Sequence, residues 1–256
     1  MLEALHVSKS YTQGQWYSRH KFHVTALDNV SVKIDACSTL ALVGESGAGK
    51  STLGRCLSHL EKPDSGEVCF EGRNLLTLSS KSLRAVRRKI QFVFQDSAAA
   101  LNPRFAAFEA VEEPLLIQST LSRKERRNQA LQMMEQVGLS IESAQRSVLE
   151  FSGGQRKRLA IARALIVRPC VLILDEALSS VDSDTQTRLT KLLLDLQVCF
   201  KLSYLFITHD LCLAARVADR IAVMQEGVIV ESGDVHALFS QPRHAYTQSL
   251  LRAMPN

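Results

Sequence analysis

Short apolar runs alternate with longer amphipathic stretches along the chain. Residues 38–43, 171–174 and 204–207 are apolar and too short for helices, which is typical of buried strands. After Asp182, the leucines between Leu189 and Leu196 recur at helical spacing, which predicts an amphipathic helix. This alternation predicts an α/β protein with a largely parallel sheet.

Other segments predict antiparallel strands. Residues 24–34 alternate loosely between apolar and polar, and 62–72 contain turn residues that separate short strands. Glu226-Gly227 stands between the apolar segments 221–224 and 228–230, which predicts a hairpin. We therefore expect an antiparallel flank and a hairpin beside the parallel core.

Between about residues 97 and 150 the pattern is wholly helical. Ser122 and Glu125 have the spacing of a capping box, and Gly138 is placed to end the helix that follows. This block interrupts the α/β pattern, which predicts a helical insertion. We expect a single domain over 1–256, made of a core (about 1–95 and 156–240), a helical subdomain (about 97–155) and a short helical tail (241–256).

The composition is that of a globular protein, since 46% of the 256 residues are hydrophobic and 22% are charged. No run approaches the roughly 18 apolar residues of a membrane span, and the N-terminus lacks the layout of a signal peptide. The six cysteines are scattered without a Cys-x-x-Cys pair, so we expect reduced thiols that neither catalyse nor bind metal. These features exclude a channel, a secreted disulfide scaffold and a coiled coil, and they predict a cytosolic protein.

The net charge of +5 would permit binding to nucleic acid or to an anionic membrane. The basic clusters at 84–89, 123–127 and 156–158 are explained more simply as the solvated faces of helices. Charge alone therefore does not identify nucleic acid or a membrane as a binding partner.

A glycine-rich segment that fits the pattern G-x-x-x-x-G-K-[ST] follows a predicted strand and opens a predicted helix. It reads Gly44-Glu45-Ser46-Gly47-Ala48-Gly49-Lys50-Ser51, with Thr52 next. In such a loop, backbone N–H groups and the helix N-terminus face phosphate oxygens. Lys50 then supplies a charge to the β- and γ-phosphates, and the Ser51 hydroxyl binds Mg²⁺. A chance glycine-rich turn is the alternative, and the flanking strand and helix argue against it.

Two acidic residues, Asp175 and Glu176, follow the apolar run 171–174. A carboxylate at the end of a buried strand beside a phosphate loop can hold Mg²⁺, which suits Asp175, and Glu176 could polarise the attacking water. Alone, such a pair is more often a helix cap. The phosphate loop earlier in the chain favours the catalytic interpretation.

The segment Phe151-Ser152-Gly153-Gly154-Gln155-Arg156 forms a second helix N-terminus that suits a phosphate. One nucleotide has no use for both sites, so the second would serve another subunit. This segment, between the phosphate loop and the acidic pair, resembles the signature of ATP-binding-cassette (ABC) ATPases. Further matches to that family are Gln95 (Q-loop), Ser179-Ser180-Val181-Asp182 (D-loop), His209 in Thr208-His209-Asp210 (switch histidine) and Tyr11 (the adenine-stacking aromatic, with Trp16 and Tyr17 as alternatives).

The resemblance implies a P-loop NTPase fold of the ABC type, with a RecA-like core, an antiparallel β flank and an inserted α-helical subdomain. It also implies that two cassettes, paired head to tail, hydrolyse ATP with Mg²⁺. The roles that it assigns are catalysis (Glu176, His209 and Gln95), Mg²⁺ binding (Ser51, Gln95 and Asp175) and contact with the ATP of the partner cassette (Ser152, Gly153, Gly154 and Gln155).

Ala177 departs from the family pattern, which has proline after the acidic pair. The change frees the backbone φ and restores an N–H, but it removes no carboxylate. We therefore expect catalysis to survive it.

Two kinds of ABC ATPase remain as alternatives: the energising subunit of a membrane transporter, or a soluble ATPase acting on DNA or ribosomes. The soluble kinds carry a long coiled coil or two cassettes, whereas this chain has one set of motifs and no sustained heptads. An importer subunit is favoured, on the cytoplasmic face of the inner (plasma) membrane as a peripheral protein. Its expected partners are a second cassette (a paralogue, or a homodimer in isolation), two membrane-spanning permease subunits and, indirectly, an extracytoplasmic solute-binding protein, with no nucleic acid.

Among importers, Leu101-Asn102-Pro103-Arg104 and the tail from His244 to Pro255 are similar to the peptide/nickel group, with Ala245 in place of a proline. Ser97 and Ala177, where proline is commoner, and the end of the chain at Asn256 favour the nickel or metal-chelate branch. An oligopeptide or dipeptide importer is the alternative.

Residues 97–110 follow the Q-loop and are unusually apolar for a surface segment. Phe105 and Phe108 are three residues apart and could form one helix face that lines a groove. We expect this groove to receive a cytoplasmic helix of the membrane subunit. The alternative is that these residues pack the insertion's own core.

Overall fold

The computed structural model describes residues 1–13, 22–96 and 100–253. Trp16, Tyr17, residues 97–99 and residues 254–256 lie outside this range. Within it the chain forms ten strands: β1 (Leu2–Gln13), β2 (Phe22–Ile34), β3 (Thr39–Val43), β4 (Ser65–Phe70), β5 (Arg73–Asn74), β6 (Ile90–Val93), β7 (Val171–Asp175), β8 (Ser203–Thr208), β9 (Arg220–Gln225) and β10 (Val228–Asp234).

The same residues form nine α-helices. They are α1 (Lys50–Leu57), α2 (Ser80–Lys89), α3 (Ala107–Gln118), α4 (Arg123–Gln136), α5 (Gly153–Leu165), α6 (Ser183–Phe200), α7 (Leu211–Val217), α8 (Val235–Ser240) and α9 (Ala245–Arg252). Within the described part of the chain, none of these helices combines the length and the apolar character that crossing a membrane requires. The chain divides into two compact units, Met1–Arg87 with Ser203–Asn256, and Arg88–Leu202.

The first unit contains two groups of strands. One is an antiparallel sheet in the order β2-β1-β4-β5, which confirms the predicted antiparallel flank. In the other group, β3 pairs in parallel with β8 on one side and with β9 on the other. Every residue of β3 and of β8 is buried, which explains why both sequences are almost uniformly apolar.

The predicted hairpin of the first unit is confirmed. Strands β9 and β10 pair antiparallel and are joined by Glu226 and Gly227, whose φ angles are 46° and 84°. Two consecutive left-handed residues are what a two-residue turn needs to match the twist of its strands. Gly227 also donates its N–H to the carbonyl of Ala48, so the hairpin contacts the glycine-rich segment.

The second unit holds the parallel pair β6 and β7 together with helices α3 to α6. The predicted capping box is confirmed, because Ser122 Oγ accepts from the Glu125 N–H and Glu125 accepts from the Ser122 N–H. Helix α4 ends at Gln136, and Gly138 follows with a φ of 73°, as a terminating glycine should. Arg163 of α5 donates twice to Glu113 of α3, at 3.0 and 2.8 Å, and so ties these two helices together. The predicted boundaries of the helical subdomain stay a prediction.

The structure corrects the hypothesis about Phe105 and Phe108. Helix α3 begins at Ala107, so Phe105 precedes the helix and the two rings do not share a helix face. Phe108 is only 6% exposed, and the guanidinium of Arg127 lies 4.7 Å from its ring centroid. Phe108 therefore packs against its own unit, as in the alternative that these residues form the insertion's own core. Docking of a membrane-subunit helix at this segment stays a prediction.

Candidate nucleotide-binding site

The glycine-rich segment connects the buried strand β3 to helix α1, as the motif requires. Gly44 and Gly49 have φ angles of 151° and 101°. A Cβ at Gly44 would clash with the Met224 carbonyl oxygen, and a Cβ at Gly49 would clash with that of Ala26. The loop can follow this path only with glycine at both positions.

The Lys50 side chain spans the loop from within. It is 5% exposed, and its Nζ donates to the carbonyl oxygens of Gly44 and Glu45 at 2.7 Å each. The crown of the loop, from Glu45 to Gly47, is exposed to solvent. The arrangement holds a full positive charge beneath an accessible ring of backbone groups, which is suited to an anion.

Tyr11 lies beside the first turn of α1. Its hydroxyl is 3.5 Å from Thr52 Oγ1, and Arg55 donates to the same oxygen at 3.2 Å. The ammonium of Lys9 is 5.8 Å from the centroid of the Tyr11 ring. The structure thus brings Tyr11 close to the phosphate loop, while Trp16 and Tyr17, the alternatives for this role, lie outside the described residues.

His209 leaves the sheet at the same edge as the phosphate loop. Val43 and Thr208 are register partners on the parallel strands β3 and β8, so Gly44 and His209 follow at neighbouring strand ends. His209 is exposed, and Asp210 beside it caps α7 by accepting the Leu213 N–H at 2.9 Å. The predicted switch histidine and phosphate loop are therefore neighbours in the first unit.

In the second unit the acidic pair ends strand β7. Asp175 is 6% exposed, and Glu176 is half-buried with a φ of 46°. Gln95 Nε2 donates to Glu176 Oε2 at 3.1 Å, which joins two predicted catalytic residues. A left-handed glutamate is uncommon, and such residues are concentrated at functional sites.

The turn after Glu176 is fixed from two sides. The hydroxyl and the N–H of Ser179 both donate to the Glu176 carbonyl, at 2.7 and 3.0 Å. Lys157 of α5, which is 8% exposed, donates from Nζ to the carbonyl of Ala177 at 2.8 Å. Burial lowers the pKa of Lys157, and the negative charge of Asp96 opposes that shift.

Lys157 was missed by the sequence analysis. The only signal is its spacing, since it lies four residues before the buried Ile161 and so on the buried face of α5. Lysine is almost never buried without a partner, and here the partner is the turn that carries Glu176. Ala177 itself is 2% exposed, so a small residue fills this position.

The signature segment begins helix α5 and caps it. Ser152 Oγ accepts from the Gln155 N–H at 3.3 Å, and Gln155 Oε1 accepts from the Ser152 N–H at 2.9 Å. The D-loop likewise ends in a cap, because Asp182 accepts from the Thr185 N–H at 2.9 Å and starts α6. Gly154 faces the side chain of Thr185, so the signature helix and the D-loop helix are in close contact.

Gly153 and Gly154 should respond in opposite directions to replacement by alanine. A Cβ at Gly153 would meet no atom within 4 Å, so Gly153→Ala should raise the free energy of unfolding, by less than the roughly 1 kcal/mol of a helix interior because Gly153 is the first residue of α5. A Cβ at Gly154 would lie 2.7 Å from Thr185 Cγ2. Gly154→Ala should therefore lower the free energy of unfolding by about 1 kcal/mol, because Thr185 is β-branched and cannot swing away easily.

Denaturant unfolding measures both effects. Thr185→Ser removes Cγ2 alone, so stability should return in the double variant Gly154→Ala/Thr185→Ser. Equal stability of the two alanine variants would show that the contact with Thr185 carries no cost.

The six cysteines should not contribute to the chemistry of the site. Burial raises the pKa of Cys56, on α1, to about 12, so almost no thiolate forms at neutral pH. Cys37 and Cys199 are exposed. We expect maleimide to label Cys37 and Cys199 but not Cys56, with ATP hydrolysis and metal content unchanged; stoichiometric zinc that disappears on cysteine substitution would contradict this.

Each unit carries donor groups of the kind that a nucleotide with Mg²⁺ requires. Magnesium prefers oxygen ligands: the first unit offers the hydroxyl of Ser51, and the second unit offers the carboxylate of Asp175 and the amide oxygen of Gln95. Lys50 and the exposed loop amides offer positive charge and N–H donors for phosphates. The types of donor in each unit, taken separately, therefore fit ATP and its metal.

Comparison with known proteins supports the same chemistry. Residues 27–179 match the family model described as ABC transporter. The dipeptide transport ATP-binding protein DppF of Escherichia coli is 44% identical over 255 residues, which cover all of this chain and 76% of that protein. The glutathione import ATP-binding protein GsiA of Escherichia coli is 46% identical over 232 residues, which cover 91% of this chain and 37% of that protein.

A solved structure shows the same fold. It is the dimeric, post-hydrolysis state of the ATP-binding cassette MJ0796 bound to ADP and Pi. The TM-score is 0.81 with 32% identical residues, over 92% of this chain and 99% of that one.

Proposed function

The chain belongs to the ABC transporter family, and on that premise we propose that it is the ATP-hydrolysing subunit that powers the import of short peptides. The predicted ABC-type cassette fold, the ATPase activity and the use of ATP with Mg²⁺ all agree with the family match and with the ADP-bound structural neighbour. The finer assignment, to peptides, depends on the relatives.

The observation that carries the peptide assignment is the match to DppF, which extends over the whole chain. GsiA, a glutathione importer by name, is a second relative at similar identity, and glutathione is itself a tripeptide. The nickel branch favoured by the sequence analysis depended on Ser97, Ala177 and the end of the chain. Ala177 is buried in the turn after Glu176, so its side chain offers almost no surface to a solute and carries little information about the cargo. The relatives support the peptide alternative better than nickel.

We assign the phosphate-binding role to the loop from Gly44 to Thr52. Lys50, already held against two loop carbonyls, would donate to the β- and γ-phosphates, and the exposed loop amides would bind phosphate oxygens. Tyr11 would stack on adenine, because it lies beside the first turn of α1.

Ser51, Asp175 and Gln95 would hold Mg²⁺, which when bound neutralises the charge that develops on the phosphates. Glu176 would orient the attacking water, and Gln95, by donating to one carboxylate oxygen, would hold Glu176 in a single orientation. His209, exposed at the sheet edge next to the loop, would contact the γ-phosphate.

The signature segment would act on a partner. Ser152, Gly153, Gly154 and Gln155 would bind the ATP of a second cassette, which we expect to be a paralogue, although a homodimer in isolation is an alternative. The dimeric state of the structural neighbour supports this pairing. Two permease subunits, and an extracytoplasmic binding protein acting through them, would complete the importer. The chain would then lie on the cytoplasmic face of the inner membrane as a peripheral subunit.

The test is a transporter assembled from this chain, its partner cassette, the permease subunits and the binding protein, reconstituted in vesicles. We expect a dipeptide or tripeptide to stimulate ATP hydrolysis and to be taken up, with both effects lost in the Glu176→Gln variant. Stimulation and uptake with nickel or a nickel chelate, and none with peptides, would overturn the assignment. Binding of nucleic acid with ATPase stimulation would instead support the soluble class.

A further inference from the structure

The C-terminal helix α9 contacts the phosphate loop. The backbone N–H of Glu45, the second residue of the loop, donates to the hydroxyl oxygen of Tyr246 at 3.1 Å. These residues are 201 positions apart in the sequence. Glu45 is in the exposed crown of the loop, and its carbonyl accepts from Lys50 Nζ at 2.7 Å and from the Ala48 N–H at 3.2 Å, both within the loop and its helix. The contact therefore adds a restraint from outside the loop's own strand and helix.

The start of α9 is anchored independently. The carboxylate of Glu231, on β10, accepts the N–H of Arg243 at one oxygen and that of His244 at the other, at 2.9 and 3.0 Å. His244 Nδ1 accepts the Tyr246 N–H at 3.2 Å and caps the helix. Hydrogen bonds to a charged acceptor are stronger than neutral ones, so Glu231 fixes the backbone from which Tyr246 projects.

The ring of Tyr246 is fixed by packing. Together with Leu250 and Leu251, it lies against a buried apolar cluster that includes Ala41 and Val43 of β3. Strand β3 leads directly into the phosphate loop, so the ring lies against a cluster to which the strand before the loop contributes, and the hydroxyl accepts a hydrogen bond from the loop itself. Burial of the ring holds the hydroxyl in place without relying on the hydrogen bond.

We propose that Tyr246 is a positioning residue for nucleotide binding, which holds the Glu45 peptide so that the phosphate loop keeps its binding conformation before the nucleotide arrives. This inference rests on the proposed role of the loop. A loop fixed in advance loses less conformational freedom when the ligand binds, and the ligand is held more tightly. By thermodynamic linkage, a bound nucleotide must in turn stabilise α9.

Tyr246→Phe tests the proposal, because it removes the hydroxyl and leaves the half-buried ring packed against the apolar cluster. In the full 256-residue chain, ADP should bind about threefold to tenfold more weakly, as expected for the loss of one neutral hydrogen bond. In ATP hydrolysis by the assembled transporter, KM for ATP should rise by a similar factor while kcat stays the same. The amide resonance of Glu45 in an NMR spectrum should shift. Adding ADP should slow amide hydrogen exchange in α9 of the wild type, and it should slow this exchange less in Tyr246→Phe.

Ser249→Ala is the matched control. The exposed Ser249 hydroxyl is on the same helix and donates at 2.8 Å to the carbonyl of Tyr246. It should leave ADP affinity and the Glu45 resonance unchanged.

Glu231→Gln is a second variant, which keeps the proposal testable if Tyr246→Phe does not fold. It loosens the anchor of α9 and should also weaken ADP binding.

Wild-type ADP affinity in both Tyr246→Phe and Glu231→Gln would overturn the inference. That outcome is distinct from failure of the proposed function, because Lys50→Met tests the loop itself. Loss of ADP binding in Lys50→Met with no effect of Tyr246→Phe would remove Tyr246 alone from the site.

Discussion

Replacing Glu176 by glutamine is expected to leave ATP binding intact while the rate of ATP hydrolysis falls at least tenfold. A tenfold loss corresponds to about 1.4 kcal/mol of transition-state stabilisation. Glutamine keeps the shape of the side chain and an oxygen that can accept from Gln95 Nε2, which now lies 3.1 Å from the carboxylate. It removes the negative charge and the basicity that orient and polarise water, and these act on the reaction and not on binding.

Turnover by the assembled transporter and ATP affinity of the subunit are the two measurements. Glu142→Gln is the matched control: it makes the same chemical change in the same unit, on an exposed 3₁₀ turn outside the site. It should leave both quantities unchanged. Near-normal turnover in Glu176→Gln would exclude Glu176 from the mechanism, and loss of ATP binding would show that its carboxylate acts on the ground state.

Features that depend on residues close together in the sequence could be predicted. Strands β3, β7 and β8, the hairpin at Glu226-Gly227 and the helix cap at Ser122 each depend on local periodicity or turn chemistry. The motifs around Lys50 and Glu176 were recognisable for the same reason, because their chemistry requires a fixed spacing within a few residues.

Contacts between distant segments could not be predicted. The amine of Lys157 reaches the turn at Ala177, and the hydroxyl of Tyr246 reaches Glu45, but nothing in the local sequence of either residue indicates its partner. The role of Phe108 could not be predicted from the sequence either. Aromatic residues at helical spacing are typical both of a core and of a docking face, and only packing distinguishes the two.

The cargo is a different case, because in the proposed importer the solute would pass through the permease subunits and not contact this chain. Single positions such as Ala177 therefore carry no direct information about nickel or peptide. The similarity to DppF, which extends over the whole chain, is the observation that favours peptides.

Lys50→Met is expected to have the largest effect on nucleotide binding, with ADP and ATP affinity falling on the order of 100-fold and turnover lost in parallel. The Lys50 amine is the positive charge held within the loop, 5% exposed and 2.7 Å from the carbonyl oxygens of Gly44 and Glu45. A hydrogen bond that involves a charged group contributes roughly 1.5–3 kcal/mol, and the upper part of this range corresponds to about 100-fold in affinity. Methionine keeps the apolar stem but removes the charge and both hydrogen bonds from Nζ, while the Glu45 carbonyl still accepts from the Ala48 N–H at 3.2 Å.

Thermal unfolding separates the loss of binding from the loss of folding. The variant should unfold cooperatively without nucleotide, whereas ADP at about 100 times the wild-type Kd should stabilise the wild type by roughly 2.7 kcal/mol and the variant by much less. Lys62→Met, an exposed position in the same unit, is the matched control and should bind ADP as the wild type does. A Lys50→Met variant that is stabilised by ADP as strongly as the control would show that the loop amides alone hold the phosphates, and that the buried ammonium serves only to brace the loop.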